Sequence, residues 1–135
     1  MINVLIVDDS AAVRLHLWSI LESDPKIRIM GAVGNGEEAV RFVEDKRPDV
    51  ITMDIDMPKM NGLEFLDSLK AHADIKTTPV VILTNLASDK DAEVALSKGA
   101  VKYIVKSEHD PKEVVNMVKE ILAGYTRDEV PKASN

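Results

Sequence analysis

The stretch VITMDIDMPKMNG, Val50 to Gly62, decides the fold. Its first four residues, Val50-Ile51-Thr52-Met53, are β-prone and uncharged, as a strand covered on both faces should be. They run into Asp54, with Asp56 two residues on and Pro58 after it. A carboxylate at the end of a buried strand is costly unless an ion or a partner compensates it. The strand end therefore reads as a site. Pro58 pre-sets a turn, and Gly62 permits a backbone conformation closed to other residues, so the pair shapes the loop that follows.

Working outward, four more β-prone runs, apolar almost throughout, appear: Val4 to Val7, Ile27 to Val33, Val80 to Leu83 and Val101 to Val105. Amphipathic segments separate them. Val13, Leu17, Ile20 and Leu21 recur at helical spacing, with Ser10 placed to cap and Pro25 beyond the end. Val114, Val115, Val118, Ile121 and Leu122 form a last helix, opened by Asp110-Pro111 and closed by Gly124. Short strands alternating with helices predict an α/β fold, a doubly wound five-stranded parallel sheet with helices on both faces. The chain has 135 residues, 45% of them hydrophobic and 30% charged, which predicts one globular domain over 1–124 and a polar tail or linker remnant over 125–135.

The net charge of −6 gives no footing for direct nucleic-acid binding, and the absence of cysteine removes disulfides and thiolate metal sites. The opening MINVLIVDD has no basic leader, and its apolar run is too short for a signal peptide or a membrane span. A cytoplasmic location without membrane contact is expected.

Right-handed crossovers bring the carboxyl ends of parallel strands to one edge, where open α/β sheets bind ligands. Asp8 and Asp9 end the first strand, Asp54 the third, Thr84 the fourth and Lys106 the fifth. Separately, Asp9 can cap a helix, Thr84 can begin a turn and Lys106 can be a surface lysine. Together they need another account, because three neighbouring carboxylates repel one another without a cation. Hard oxygen ligands with no nitrogen or sulfur select Mg2+, which often bridges carboxylates to a phosphate. The expectation is a metal and phosphoryl site.

The acidic pair in LIVDDS, the MDIDMPKMNG segment, VILTN and YIVK, in this order and spacing, resemble the receiver domain of two-component response regulators from Ile2 to about Ala123. The first half is similar to the receiver of the chemotaxis methylesterase, and KGAVKYIVKSEHDPKEVV to a stand-alone receiver. The resemblance implies a flavodoxin-like strand order 2-1-3-4-5. It implies Asp54 as the nucleophile that takes a phosphoryl group from a histidine kinase or phosphotransfer protein. Asp8, Asp9, Asp54 and the Asp56 carbonyl would hold Mg2+, while Lys106 and Thr84 would meet phosphoryl oxygens. Thr84 and Tyr103 would carry the switch to the fourth helix, fifth strand and fifth helix, for a downstream protein target or a missing output domain. A tyrosine with its hydroxyl in water is the plainer reading of Tyr103.

Two positions depart from the family's pattern. Lys106-Ser107 stands where Lys-Pro with a cis bond is usual; cis before serine costs about 3 kcal/mol, so a trans bond and a rerouted loop are expected. Asn85 replaces a smaller residue and, with Asp56, would modulate the lifetime of the phosphoryl group. Ala11, Ala12, Leu15, Trp18 and Ser107 are candidate positions for docking the phosphoryl donor; Trp18 reads equally as a flap over the core edge.

GNGEEA, Gly34 to Ala39, matches a dinucleotide fingerprint. It is also an ordinary turn and helix start, favoured because Glu37 and Glu38 would repel a pyrophosphate. His16, His72 and His109 lack ligand spacing and read as surface residues rather than zinc ligands. Two other functions compete. Asp54-x-Asp56 also resembles haloacid-dehalogenase-type phosphatases, although here the acidic pair lies upstream and no cap segment is present. A docking module that takes no phosphate is the other. A receiver catalyses its own phosphorylation and dephosphorylation without turning over external substrates.

Overall fold

A computed structural model describes residues 1–55, 62–71, 78–84, 89–105 and 110–125. Asp56, Pro58, His72, Asn85, Lys106, Ser107, His109 and the tail from 126 onward lie outside them. The elements run β1 (Ile2–Val7), α1 (Ala11–Glu22), β2 (Ile27–Val33), α2 (Gly36–Lys46), β3 (Val50–Met53), α3 (Gly62–Lys70), β4 (Val80–Thr84), α4 (Asp89–Ser97), β5 (Lys102–Val105) and α5 (Pro111–Tyr125). All strand pairs are parallel, in the order β2-β1-β3-β4-β5, so the doubly wound sheet expected from the alternating pattern is the one observed.

Alternation along each strand feeds two cores. Val4, Ile6, Val50, Val81, Leu83 and Ile104 face α1 and α5, while Leu5, Val7, Ile51, Met53 and Ile82 face α2, α3 and α4. The central strands β3 and β4 are buried at every position. The edge strands are not: β2 and β5 each leave residues exposed or half-buried, because an edge strand has a neighbour on one side only. Ser10 caps α1 as expected, its side chain accepting from the Val13 N–H. Gly124 does not close the last helix, which continues to Tyr125; a glycine there costs helix propensity without breaking the hydrogen-bond ladder.

One buried group is out of keeping with this core. Thr52, 1% exposed on β3, has a hydroxyl with no hydrogen-bond partner among the described residues. Leaving such a group unsatisfied costs about 1–3 kcal/mol, whereas an apolar isostere leaves nothing to desolvate. Thr52→Val is expected to raise stability by about 1 kcal/mol, seen as a higher urea midpoint at unchanged slope. A lower midpoint would mean that the hydroxyl is satisfied.

Candidate functional site

The chain leaves β1 outward to β2 and returns to β3 on the other side, so the strand order reverses between β1 and β3. At such a reversal the two connecting segments diverge and leave a crevice at the carboxyl edge. Register sets what meets there. Val7 pairs with Met53, and the Asp54 N–H donates to the Val7 carbonyl at 3.0 Å, so the residues that follow these strands lie side by side. Asp8, Asp9 and Asp54 each offer a carboxylate oxygen, and the three oxygens lie within 4.8 Å of one another. Asp8 is buried, Asp54 half-buried and Asp9 exposed. Three of the expected acids thus converge.

Asp8 is held from several directions. Its N–H donates to the Val33 carbonyl at 3.1 Å, and its Oδ1 accepts from the Ser10 N–H at 3.0 Å. Its carbonyl accepts from Arg14 Nη1 at 2.7 Å. Sequence reasoning missed Arg14; the available signal was a basic residue one helical turn after an acidic pair. The oxygen-only set suits a hard divalent cation. Opposite ligands of Mg2+ stand about 4.2 Å apart, twice the usual Mg–O distance. A spread of up to 4.8 Å therefore fits an ion held with only slight closure, or with one carboxylate reaching it through water.

Thr84 ends β4 beside β3 and is 1% exposed. Tyr103 sits opposite Ile82 on β5 and packs, half-buried, on the core that α2, α3 and α4 cover. Burial first, then the negative charges of Asp91 on α4 and of Asp54, push its phenol above the ordinary value of 10.0. Asp54 is thus felt electrostatically at Tyr103. A raised phenol pKa favours the folded state while the ring is protonated. That contribution is complete below the ordinary value and is lost as the pH climbs through the folded-state value. In a Tyr125→Phe background the ultraviolet titration of Tyr103 should have its midpoint above 10.0, and Asp54→Asn should lower it. A midpoint at or below 10.0 would contradict the burial and charges assigned here.

Gly62 opens α3 directly beneath the site, and its role differs from the one read in the sequence. The positive-φ glycine among the described residues is Gly99, not Gly62. What Gly62 supplies is space: a Cβ would stand 2.8 Å from the Asp54 carbonyl oxygen and 3.0 Å from the Ile55 Cα. Ala11, Leu15 and Trp18, at helical spacing, share a face of α1; Leu15 is 71% and Trp18 37% exposed, and Ala11, Ala12 and His16 are also exposed. At the fingerprint-like turn, Asn35 caps α2 and accepts from the Glu38 N–H, while Glu38 Oε1 accepts from the Gly34 N–H, both at 3.0 Å. Glu38 occupies an amide that a bound phosphate would need, so the turn reading holds.

A family model described as the response regulator receiver domain matches residues 4–119. The chain is 37% identical, over 118 residues, to a protein-glutamate methylesterase/protein-glutamine glutaminase of Myxococcus xanthus, covering 87% of this chain and 33% of that protein. The chain thus spans about a third of the length of the curated relatives it matches. Its fold superposes on the response regulator domain of Thermotoga maritima CheB with a TM-score of 0.78 at 35% identity, covering 91% of this chain and 94% of that one. A chain of the CheX-CheY-BeF3-Mg2+ complex of Borrelia burgdorferi gives 0.80 at 33% identity, covering 89% and 88%. Among the described residues no helix is long and apolar enough to cross a membrane.

Proposed function

The chain belongs to the response regulator receiver domain family, and on that footing we propose that it is a phosphorylation-driven switch that accepts a phosphoryl group on Asp54. The observation that carries this reading is the convergence of the Asp8, Asp9 and Asp54 carboxylates at the strand-order reversal. The Borrelia complex, named for Mg2+ and BeF3, lends support through its similarity to this chain.

Asp8 and Asp9, with Asp54 and the Asp56 carbonyl, would hold Mg2+. Bound there, the ion neutralises charge on the phosphoryl oxygens. The remaining work belongs to the protein. An Asp54 carboxylate oxygen attacks phosphorus in line, the Oδ–P bond forms as the P–N bond of a donor phosphohistidine breaks, and the electron pair leaves on the imidazole. Such a loose transition state needs alignment more than covalent assistance. The Thr84 hydroxyl and the Lys106 ammonium each meet a phosphoryl oxygen, and Tyr103 follows Thr84, favouring one of two pre-existing arrangements of α4, β5 and α5. Asn85 and Asp56 tune how soon water removes the group. Ala11, Ala12, Leu15, Trp18 and Ser107 meet the donor, a histidine kinase or phosphotransfer protein. The output is a cytoplasmic protein target, in a separate chain or in a further segment of the same one.

Incubation with acetyl phosphate tests the reading. Phosphate should be taken up with Mg2+ present, blocked by EDTA and released by hydroxylamine, as an acyl phosphate is. Phosphate resistant to hydroxylamine would point to another acceptor. Sustained turnover of p-nitrophenyl phosphate would favour a phosphatase instead.

A further inference from the structure

Arg14 is bonded through its side chain to the acid site, and the proposed reaction does not use it. It stands one turn into α1, half-buried, and its Nη1 donates to the Asp8 carbonyl at 2.7 Å. The guanidinium lies across the β2–α2 turn, where a Cβ on Gly34 would come within 3.2 Å of the same Nη1. Gly34 thereby leaves room for it. The Asp8 carbonyl terminates β1 at the point where the chain turns into α1. An arginine fixed to it fastens the first turn of the helix to the end of the strand.

We propose that Arg14 is a positioning residue for the divalent cation: by holding the Asp8 main chain it keeps the Asp8 carboxylate aimed at Asp9 and Asp54. The inference rests on the reading of that cluster as a cation site. Two effects of opposite sign compete in Arg14. Its positive charge disfavours a nearby cation through Coulomb repulsion, which a half-buried environment only partly screens. Its hydrogen bond fixes the main chain that carries a ligand, and losing a partner that orients a ligating group typically costs about 10–100-fold in metal affinity. The bond goes to the same residue that supplies the most buried ligand oxygen, so positioning outweighs repulsion. Lysine can make the same single bond to a carbonyl; only a bidentate site would demand the arginine fork.

The experiment is calorimetric titration of the full chain with magnesium chloride, for wild type, Arg14→Ala and Arg14→Lys. Urea unfolding in EDTA alongside verifies that each variant is folded. Arg14→Ala should bind Mg2+ at least about 10-fold more weakly, and Arg14→Lys should recover most of the loss. Affinity unchanged or tighter in Arg14→Ala overturns the inference and leaves the residue a repelling charge. Equal weakening in both variants overturns it too, since an intact single bond would then not suffice. Wild type that takes up no Mg2+ brings down the cation site itself, an outcome distinct from either.

Discussion

Gly62→Ala is expected to destabilise the protein by about 2 kcal/mol and to weaken Mg2+ uptake at the same time. The added methyl would sit 2.8 Å from the Asp54 carbonyl oxygen and 3.0 Å from the Ile55 Cα. Both are backbone atoms, so no rotamer change relieves the contact. Either α3 lifts from the sheet or the end of β3 moves, and Asp54 moves with it. The Gly62 N–H also donates to the Ile55 carbonyl at 3.1 Å, a bond that either displacement strains. Urea unfolding and magnesium titration of the variant check both effects together. A midpoint equal to that of wild type would show that the helix start is slack.

Asp8→Asn should act in opposite directions with and without metal. In EDTA, removing one of three clustered negative charges relieves repulsion, for a gain of about 1 kcal/mol in a partly solvated site. The Asn side-chain oxygen can still accept from the Ser10 N–H, so the turn survives. With Mg2+ the order reverses. Wild type gains about 2.7 kcal/mol when the ion stands at 100 times its Kd. The variant, having lost a ligand charge, should bind about 100-fold or more weakly and gain almost nothing. Thermal unfolding of both proteins in EDTA and in excess magnesium measures the crossover. A variant stabilised by Mg2+ as much as wild type would remove Asp8 from the site.

β1 and β3 were legible because apolar β-prone runs end abruptly in acids: Val7 before Asp8 and Met53 before Asp54 mark both the strand and its functional end. Once parallel strands are granted, the crossover rule puts those ends on one edge, so the sequence alone brings the three acids together. Ser10 was legible for a local reason, since a cap acts on the N–H of the next turn. Gly62 was only half legible. A glycine after a loop is explained equally well by unusual dihedrals or by close approach, and the approach of Asp54 to it depends on how α3 lies on the sheet. Arg14 was hidden for the same reason, because its partner is a carbonyl and every residue has one. The unsatisfied Thr52 hydroxyl cannot be told from an ordinary strand threonine until its neighbours are known. The half-exposed faces of β2 and β5 depend on strand order, which the apolar runs themselves do not state.

The most direct measurement is the intact mass of wild type and of Asp54→Asn after acetyl phosphate and magnesium, followed by peptide mapping of any adduct. Wild type should carry one phosphoryl group on the peptide containing Asp54, and the asparagine variant none. A wild type that gains no mass, or a variant that gains as much, would contradict the account.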